Sequence, residues 1–531
     1  MKRKVKDWRD LTLREKIGQT VISLCETDKH IQMCGSIEKF LEKYPIGGMY
    51  NNGGLVKGLL VDSHENYKEV ISEYNKHLSV PLFPTGDFGI FAAKHGIDYV
   101  PQMAVGATND AECAYKMGEF RAEDFKHTGI MWGFWPVCDI SPGAHADAVT
   151  GARSIGQDID LIIKMVKEEL KAMKERGVIA SIKHFPGHDL SAKIPIDPHL
   201  GIRDNKIPFD LWKKTYGKIY KELIDAGVPT IMVGHENLID YQTEKINGEY
   251  PSATMSYEVI TKLLREELGF KGVVVTDALV MGGFGGAEAL NNTVLSFLAG
   301  HDCLLWPAYE YIDEMEKRIL SGEIDEKLLD ASVERIWNLK KEYGLLDEID
   351  APYVDDVEFY REIEEKITEK SLTLLNNYND LLPLKKENVK NVFIVGVTPD
   401  DGEYEKLCKL KSEFEKYGMN VTMQRNVWTD EIEKAGKEYD LIVFALCRNM
   451  HRPIGPLDFW AEEATSIWSS NCSDKTKTVI ANFGVPYMYK YYEHSKYTYI
   501  DAYSPQGGSV RAVVKAIFGE IGFEGKSPVQ L

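Results

Sequence analysis

Short apolar runs recur along the first 345 residues, at 47–50, 80–87, 130–139, 178–184, 228–235, 272–277 and 303–306. Between them the apolar positions fall three or four apart. Leu161, Ile162, Met165, Val166, Leu170 and Met173 keep a helical period over 160–176, and Leu211, Trp212, Ile219, Tyr220 and Leu223 do so in the next stretch. Gly177, Gly227 and Gly269 follow such stretches, where helices commonly end on a left-handed residue. Buried strands alternating with amphipathic helices predict a (β/α)8-type TIM barrel, irregular at its start. Several runs end in a polar residue: Asp87, Asp139, Lys183-His184, His235 and Asp277. In such a barrel the C-terminal strand ends ring the active site, so these convergent ends predict one pocket.

An acidic stretch, DEIDAPYVDDVEFYREIEEK (347–366), reads as a linker entering a helix. Beyond it VFIVGV (392–397), LIVFAL (441–446) and KTVIANF (477–483) are short apolar strands separated by helical or loop segments. The expected organisation is a catalytic barrel over 1–345, a linker over 346–366 and a C-terminal α/β sandwich domain over 367–531.

Charge and cysteine content narrow the function. The 531 residues carry 63 Lys+Arg against 82 Asp+Glu, a formal net charge of −19. That balance argues against a nucleic-acid partner, which needs a basic surface, and against docking on anionic membranes. No run approaches the roughly 18 apolar residues of a membrane-spanning helix. The basic start MKRKVKDWRD lacks the apolar core of a signal peptide, so a cytoplasmic protein is expected. Eight scattered cysteines without a Cys-x-x-Cys pair predict reduced thiols rather than a disulfide frame or a cysteine-ligated zinc.

The candidate chemistry lies in two segments. IKHFPGHD (182–189) sets Lys183 and His184 at a strand end, where they either cap the strand or grip hydroxyls. Pro186, Pro195 and Pro198 make the following stretch a loop. At its far end Asp197 and His199 stand two apart, a spacing that points to one side of an extended segment. The Asp197 carboxylate would then orient the His199 ring as an acid/base dyad, the alternative being a solvated turn. His184, His188, His199 and His235 lack tight ligand spacing, so no metal is expected. GVVVTDAL (272–279) presents Asp277 before small residues, which suits a nucleophile that must approach a carbon closely, or a helix cap.

KHFPGH (183–188), the pair Asp197 and His199, and GFKGVVVTDALVM (269–281) together resemble family 3 of the glycoside hydrolases, in its two-domain, β-N-acetylglucosaminidase-like branch. LTLREKIGQTV (11–21), FWPVCDISP (134–142), GARSIGQD (151–158), SLTLLNNYNDLLPL (371–384) and FEGKSPVQL (523–531) are similar to family segments in the family's order. The resemblance implies a TIM barrel followed by a flavodoxin-like α/β sandwich. It implies an exo-acting retaining β-glycosidase acting on carbohydrate without a cofactor, with N-acetylglucosamine as the sugar. Asp277 would be the nucleophile and His199, paired with Asp197, the general acid/base. Lys183, His184 and Arg153 would bind sugar hydroxyls, Asp87 the far hydroxyls of the terminal ring, and His235 would line the pocket.

The chain also departs from the family. The usual Asp-x-Glu-x-Gly-Arg run reads DFGIFAA (87–93), so the Glu and Arg are missing while Phe88 and Phe91 add apolar surface. Looser sugar discrimination follows. Lys183 and His199 are 16 residues apart, and Pro198 separates Asp197 from His199. The alternatives are a glycoside phosphorylase, since a histidine acid/base does not repel phosphate, a β-glucosidase-like enzyme, or a sugar-binding protein without turnover. Retention of Asp277, Asp197 and His199 favours an enzyme. His451 and Arg452, just after LIVFAL, mark a loop that either reaches over the barrel or stays solvated.

Overall fold

The computed structural model describes residues 5–51, 66–97, 99–143, 151–190, 199–201, 204–284, 289–347, 352–448 and 461–531. Eight parallel strands form the first sheet: β1 (Val21–Leu24), β2 (Gly48–Asn51), β3 (Phe83–Gly86), β4 (Trp132–Gly133), β5 (Ile179–Phe185), β6 (Thr230–Val233), β7 (Val273–Thr276) and β8 (Leu304–Leu305). Their order is β7-β6-β5-β4-β3-β2-β1-β8. Val275 bridges Cys303 in parallel, and the Thr276 N–H donates to the Cys303 carbonyl at 3.1 Å, which joins β7 to β8 and closes the barrel.

Two strands differ from the sequence expectation. β1 follows the helix Leu13–Gln19 after Thr20 alone, so its four residues, three of them apolar, read as helix continuation rather than as a strand. β4 is far shorter than the apolar run 130–139. Pro136 has no N–H for a ladder, and beyond it only Val137 bridges β5, at Lys183. Asp139 therefore sits on a loop past the strand rather than at its last rung.

The barrel interior is packed, not open. Ile22, Tyr50, Phe83, Trp132, Phe134, Ile179, Met232, Val273, Val275 and Leu305 form one buried cluster. Trp132 meets Phe83 edge-on at 4.8 Å, and its indole N–H donates to Thr230 Oγ1 at 3.1 Å. Burying each such large side chain is worth roughly 1.5–3 kcal/mol, which makes a rigid floor beneath the strand ends. At the opposite end, buried Lys340 of the helix Glu326–Glu342 donates to Gln19 Oε1 at 2.8 Å and to the Gly47 and Pro81 carbonyls at 2.9 and 2.7 Å.

The helices follow their apolar period. Ile159–Glu175 is capped by Asp158, whose carboxylate accepts from the Leu161 N–H at 2.7 Å, and it buries Ile162, Met165, Val166 and Met173 against the barrel. Gly177 closes it at φ 73°, a conformation that costs an L side chain strain but glycine none.

The second sheet contains β9 (Thr373–Asn376), β10 (Asn391–Val397), β11 (Asn420–Arg425), β12 (Leu441–Leu446), β13 (Thr478–Asn482) and β14 (Thr498–Asp501). The order β11-β10-β12-β13-β14-β9 is the flavodoxin-like order with β9 added antiparallel at one edge. The fold is thus a TIM barrel followed by an α/β sandwich. The helix Val357–Ser371 begins inside the acidic stretch and packs on both halves, against Ala111–Thr128 and against Gly507–Ile517. Lys366 pairs with Glu112 at 2.5 Å, and Lys370 pairs with Asp110. The hydroxyl of Tyr487, just after β13, bonds Ser141, two residues past Asp139. The sandwich therefore touches the loop that supports the pocket. Among the described residues no helix is long and apolar enough to cross a membrane.

Candidate active site

The C-terminal ends of β2, β3, β5, β6 and β7 bring Tyr50, Asp87, Lys183, His184, His235 and Asp277 to one end of the barrel. Asp87 accepts from Lys183 Nζ at 2.6 Å on one oxygen and from the Tyr50 hydroxyl at 2.7 Å on the other. Burial works to raise the Asp87 carboxyl, but the Lys183 charge, these two hydrogen bonds and the Arg153 charge hold it below its ordinary value. Burial pulls the Lys183 ammonium down, with Asp87 pulling it back. Tyr50 carries no polar signature in the apolar run 47–50, so its role in bracing Asp87 was not legible in the sequence.

Asp277 stands one residue past β7. Its backbone N–H donates to the Val233 carbonyl at 2.8 Å, and its Oδ1 accepts from the Ala278 N–H at 2.7 Å. Burial again opposes ionisation. The facing rings of His184 and His235, the Lys183 ammonium and the Ala278 N–H nevertheless hold the Asp277 carboxyl below its ordinary value. His235 is fully buried, with Nε2 2.9 Å from the Ala278 carbonyl and Nδ1 2.8 Å from Thr254 Oγ1. Both of its ring nitrogens face protein, so it braces the turn that carries Asp277 rather than offering an open grip.

His199 is exposed, and its carbonyl accepts from the Gly282 N–H at 2.9 Å, tying its loop to the segment that follows Asp277. Its charge reaches His235. Asp197 and Pro198 lie outside the described residues, as do His451 and Arg452. Arg153 is half-buried, and its charge acts on Asp87, Lys183 and His184.

The altered stretch after Asp87 folds away from the pocket. The Gly89 N–H donates to the Tyr99 hydroxyl at 2.8 Å, Ile90 to Thr128 at 3.0 Å and Ala92 to Asp124 at 3.0 Å. Phe91 is buried against His127 and Tyr360. Only Phe88, 46% exposed, supplies the apolar surface expected of both phenylalanines.

Behind His184 lies a chain of buried polar groups. His184 offers its backbone N–H to Asp139 at 3.2 Å and its Nδ1 at 2.7 Å, while His188 Nε2 stands 3.3 Å from the same carboxylate. His188 Nδ1 bonds Glu236. Among the described residues Asp139, His184 and His188 alone gather three metal-capable groups, their ligand atoms lying within 4.8 Å of one another. The 2.7 Å between His184 Nδ1 and Asp139 is a hydrogen bond, shorter than the roughly 3.3 Å that separates two ligands on a tetrahedral ion with bonds near 2.0–2.1 Å. As it stands, His184 is hydrogen-bonded to Asp139 and His188 to Glu236. Asp139 stood out in the sequence as a polar strand end, whereas Glu236 did not.

The comparisons agree with this architecture. Residues 12–339 match the glycosyl hydrolase family 3 N-terminal domain. A β-N-acetylglucosaminidase/β-glucosidase of Cellulomonas fimi is 28% identical over 305 residues, 55% of this chain and 53% of that protein. β-Hexosaminidase A of Pseudoalteromonas piscicida is 26% identical over 340 residues, 57% of this chain and 54% of that protein. The chain thus spans about half the length of these relatives. Among solved structures, the β-glucoside phosphorylase BglX superposes with a TM-score of 0.81 at 24% identity, over 98% of this chain and 94% of its own. A glycoside hydrolase family 3 β-N-acetylglucosaminidase from Paenibacillus sp. str. FPU-7 gives 0.80 at 24% identity, over 98% and 99%. At such identity the likeness is one of fold, a barrel followed by a sandwich.

Proposed function

The chain belongs to glycosyl hydrolase family 3, and from that premise we propose that it is an exo-acting retaining β-glycosidase, with terminal N-acetylglucosamine as its sugar. The observation that carries this reading is Asp277: a carboxylate at a barrel strand end, facing His184, His235 and Lys183 and held below its ordinary value against burial. In the first step an Asp277 oxygen attacks the anomeric carbon while the bond to the leaving oxygen breaks and His199 protonates that oxygen. In the second, His199 takes a proton from water, and the hydroxide oxygen displaces Asp277 from the same carbon. Asp197 orients the His199 ring, while Lys183, His184 and Arg153 hold hydroxyls of the sugar. The Cellulomonas relative's name, β-N-acetylglucosaminidase/β-glucosidase, supports N-acetylglucosamine alongside glucose, and that of the Pseudoalteromonas relative, a β-hexosaminidase, supports a hexosamine.

Phosphorolysis is the second reading, favoured by an exposed histidine in the acid/base place and by the Lys183 and Arg153 charges nearby. An aryl-glycoside panel of N-acetyl-glucosaminide, glucoside, xyloside and galactoside, run with and without phosphate, decides both questions. Fastest release from the N-acetyl-glucosaminide, with free sugar as product, is the expected result. A phosphate-dependent rate with sugar 1-phosphate as product replaces hydrolysis by phosphorolysis. Silence across the panel overturns the enzyme reading.

Asp87 sets the exo mode. A carboxylate accepting from two hydroxyls of a terminal ring makes charge-assisted bonds of about 1.5–3 kcal/mol each. Asp87→Asn is expected to raise KM by about tenfold to a hundredfold, with a smaller change in kcat. Steady-state kinetics on a chitooligosaccharide check this. A normal KM, or internal cutting of a chain blocked at its non-reducing end, removes Asp87 from the terminal-sugar site.

A further inference from the structure

Three candidates stand out beyond the residues that face the sugar: two exposed tryptophans on the sandwich, a buried arginine between Tyr99 and Trp135, and the polar chain behind His184. Nothing on the surface around Trp428 and Trp468 says what covers them. Arg121 is enclosed by its aromatic neighbours and opens on no ligand site. The third carries furthest.

We propose that Glu236, His188 and Asp139 form a buried positioning chain that fixes the His184 ring so that its Nε2 accepts a hydrogen bond from a sugar hydroxyl. The inference rests on the glycosidase reading above and names residues that act through His184 rather than on the substrate. His188 Nδ1 bonds Glu236, and an ionised carboxylate only accepts, so Nδ1 carries a proton. His188 Nε2 makes no hydrogen bond but stands 3.3 Å from the Asp139 carboxylate, and a buried ring flanked by two carboxylates is held as an imidazolium. That cation, with the His184 donors, keeps the fully buried Asp139 ionised and well below the usual carboxylate range against the effect of burial. The Asp139 carboxylate in turn requires the proton of His184 on Nδ1, at 2.7 Å. Burial holds the His184 ring below its ordinary value, hence neutral near pH 7, and its Nε2 is left as a bare acceptor. Lys183 next door only donates, so the pair reads both polarities of a sugar hydroxyl.

The surroundings of His188 leave its charge to these carboxylates. His184 and Asp189 come from its own strand and loop, Asp139 from the loop after β4, and Glu236 from the end of β6. Tyr216, in the helix Tyr216–Asp225, packs on Gly187, and burial pushes its phenol far above its ordinary value, so it stays neutral. Against burial, which lowers it, Glu236 and Asp139 raise His188 well above the ordinary histidine value.

Glu236→Gln keeps an acceptor for His188 Nδ1 but removes the charge. The test follows histidine ring nitrogens by NMR on ¹⁵N-histidine-labelled full-length protein across pH, with resonances assigned by His184→Gln and His188→Gln. In the wild type, His188 keeps both protons through neutrality and His184 is the neutral Nδ1–H form. In Glu236→Gln, His188 deprotonates between about pH 6.5 and 8, and KM rises about tenfold above that transition with kcat and the melting temperature little changed. Glu236→Asp, which keeps a carboxylate, stays closer to wild type in both readouts. An unaltered His188 titration in Glu236→Gln, or a proton on His184 Nε2 in the wild type, overturns the proposal. Correct ring states in a protein that turns over no glycoside would instead sink the glycosidase reading and leave the chain standing.

Discussion

Asp277→Ala is expected to remain folded while losing on the order of 10³-fold or more in kcat/KM, the largest effect of any single substitution in this protein. The fold survives because Asp277 contributes little to it. Its backbone N–H bond to the Val233 carbonyl does not need a side chain, and the packed layer of Met232, Val273, Val275 and Leu305 lies beneath it. What the substitution removes from the fold is chiefly the Oδ1 bond to the Ala278 N–H, worth about 1.5–3 kcal/mol for an ionised acceptor. The melting temperature should therefore move by no more than about 5 °C. Turnover fails because among the described residues no other carboxylate is free to take its place: Asp87 is engaged by Lys183 and Tyr50, and Asp139 is buried behind His184. Azide separates a lost nucleophile from a misplaced one. In the space left by the Asp277 carboxylate, azide attacks the anomeric carbon of an activated β-glycoside once, so the product is the α-glycosyl azide. Retention of more than a few per cent of activity without azide, or rescue giving only the β-azide, removes Asp277 from the nucleophile's role.

The sequence carried the repeating part of this structure and much of the pocket, for a common reason. A buried parallel strand is an apolar run with a polar residue where it emerges, so Asp87, Lys183-His184, His235 and Asp277 were visible as punctuation. Elements lacking that contrast were not. β1 merges with the helix before it. β11 and β14 mix Asn, Thr, Gln and Tyr with apolar residues, and β11 lies half-exposed at the sheet edge. The same limit applies to side chains. Glu236 follows His235 in the chain but meets His188, 48 residues back, and no local pattern announces a partner so distant. Tyr50 looks like core and is mostly core; only its hydroxyl reaches Asp87. The altered stretch after Asp87 was legible as a departure, but its consequence was not. The side chains of Tyr99, Asp124 and Thr128, which hold it down, come from a neighbouring loop and helix.

His199→Ala should sort substrates by their leaving groups. A general acid matters in proportion to the basicity of the oxygen it protonates, and such help is worth about 10²–10⁴-fold. For an alkyl or sugar leaving group the loss of kcat/KM is expected in that range, whereas for a dinitrophenyl glycoside, whose oxygen departs without a proton, it is expected below about tenfold. The exposed place of His199, joined to the Asp277 segment by the Gly282 N–H, suits a group that must reach the leaving oxygen at the pocket mouth. With the base also gone, the second step becomes slow for activated substrates, so a burst of released phenol should precede a low steady rate. Azide again reads the geometry. It needs no deprotonation, attacks the glycosyl-Asp277 intermediate from the face the leaving group vacated, and yields the β-glycosyl azide, the opposite anomer to that formed by Asp277→Ala. A loss of equal size across leaving groups, with no burst and no azide product, would assign His199 to holding its loop rather than to moving a proton.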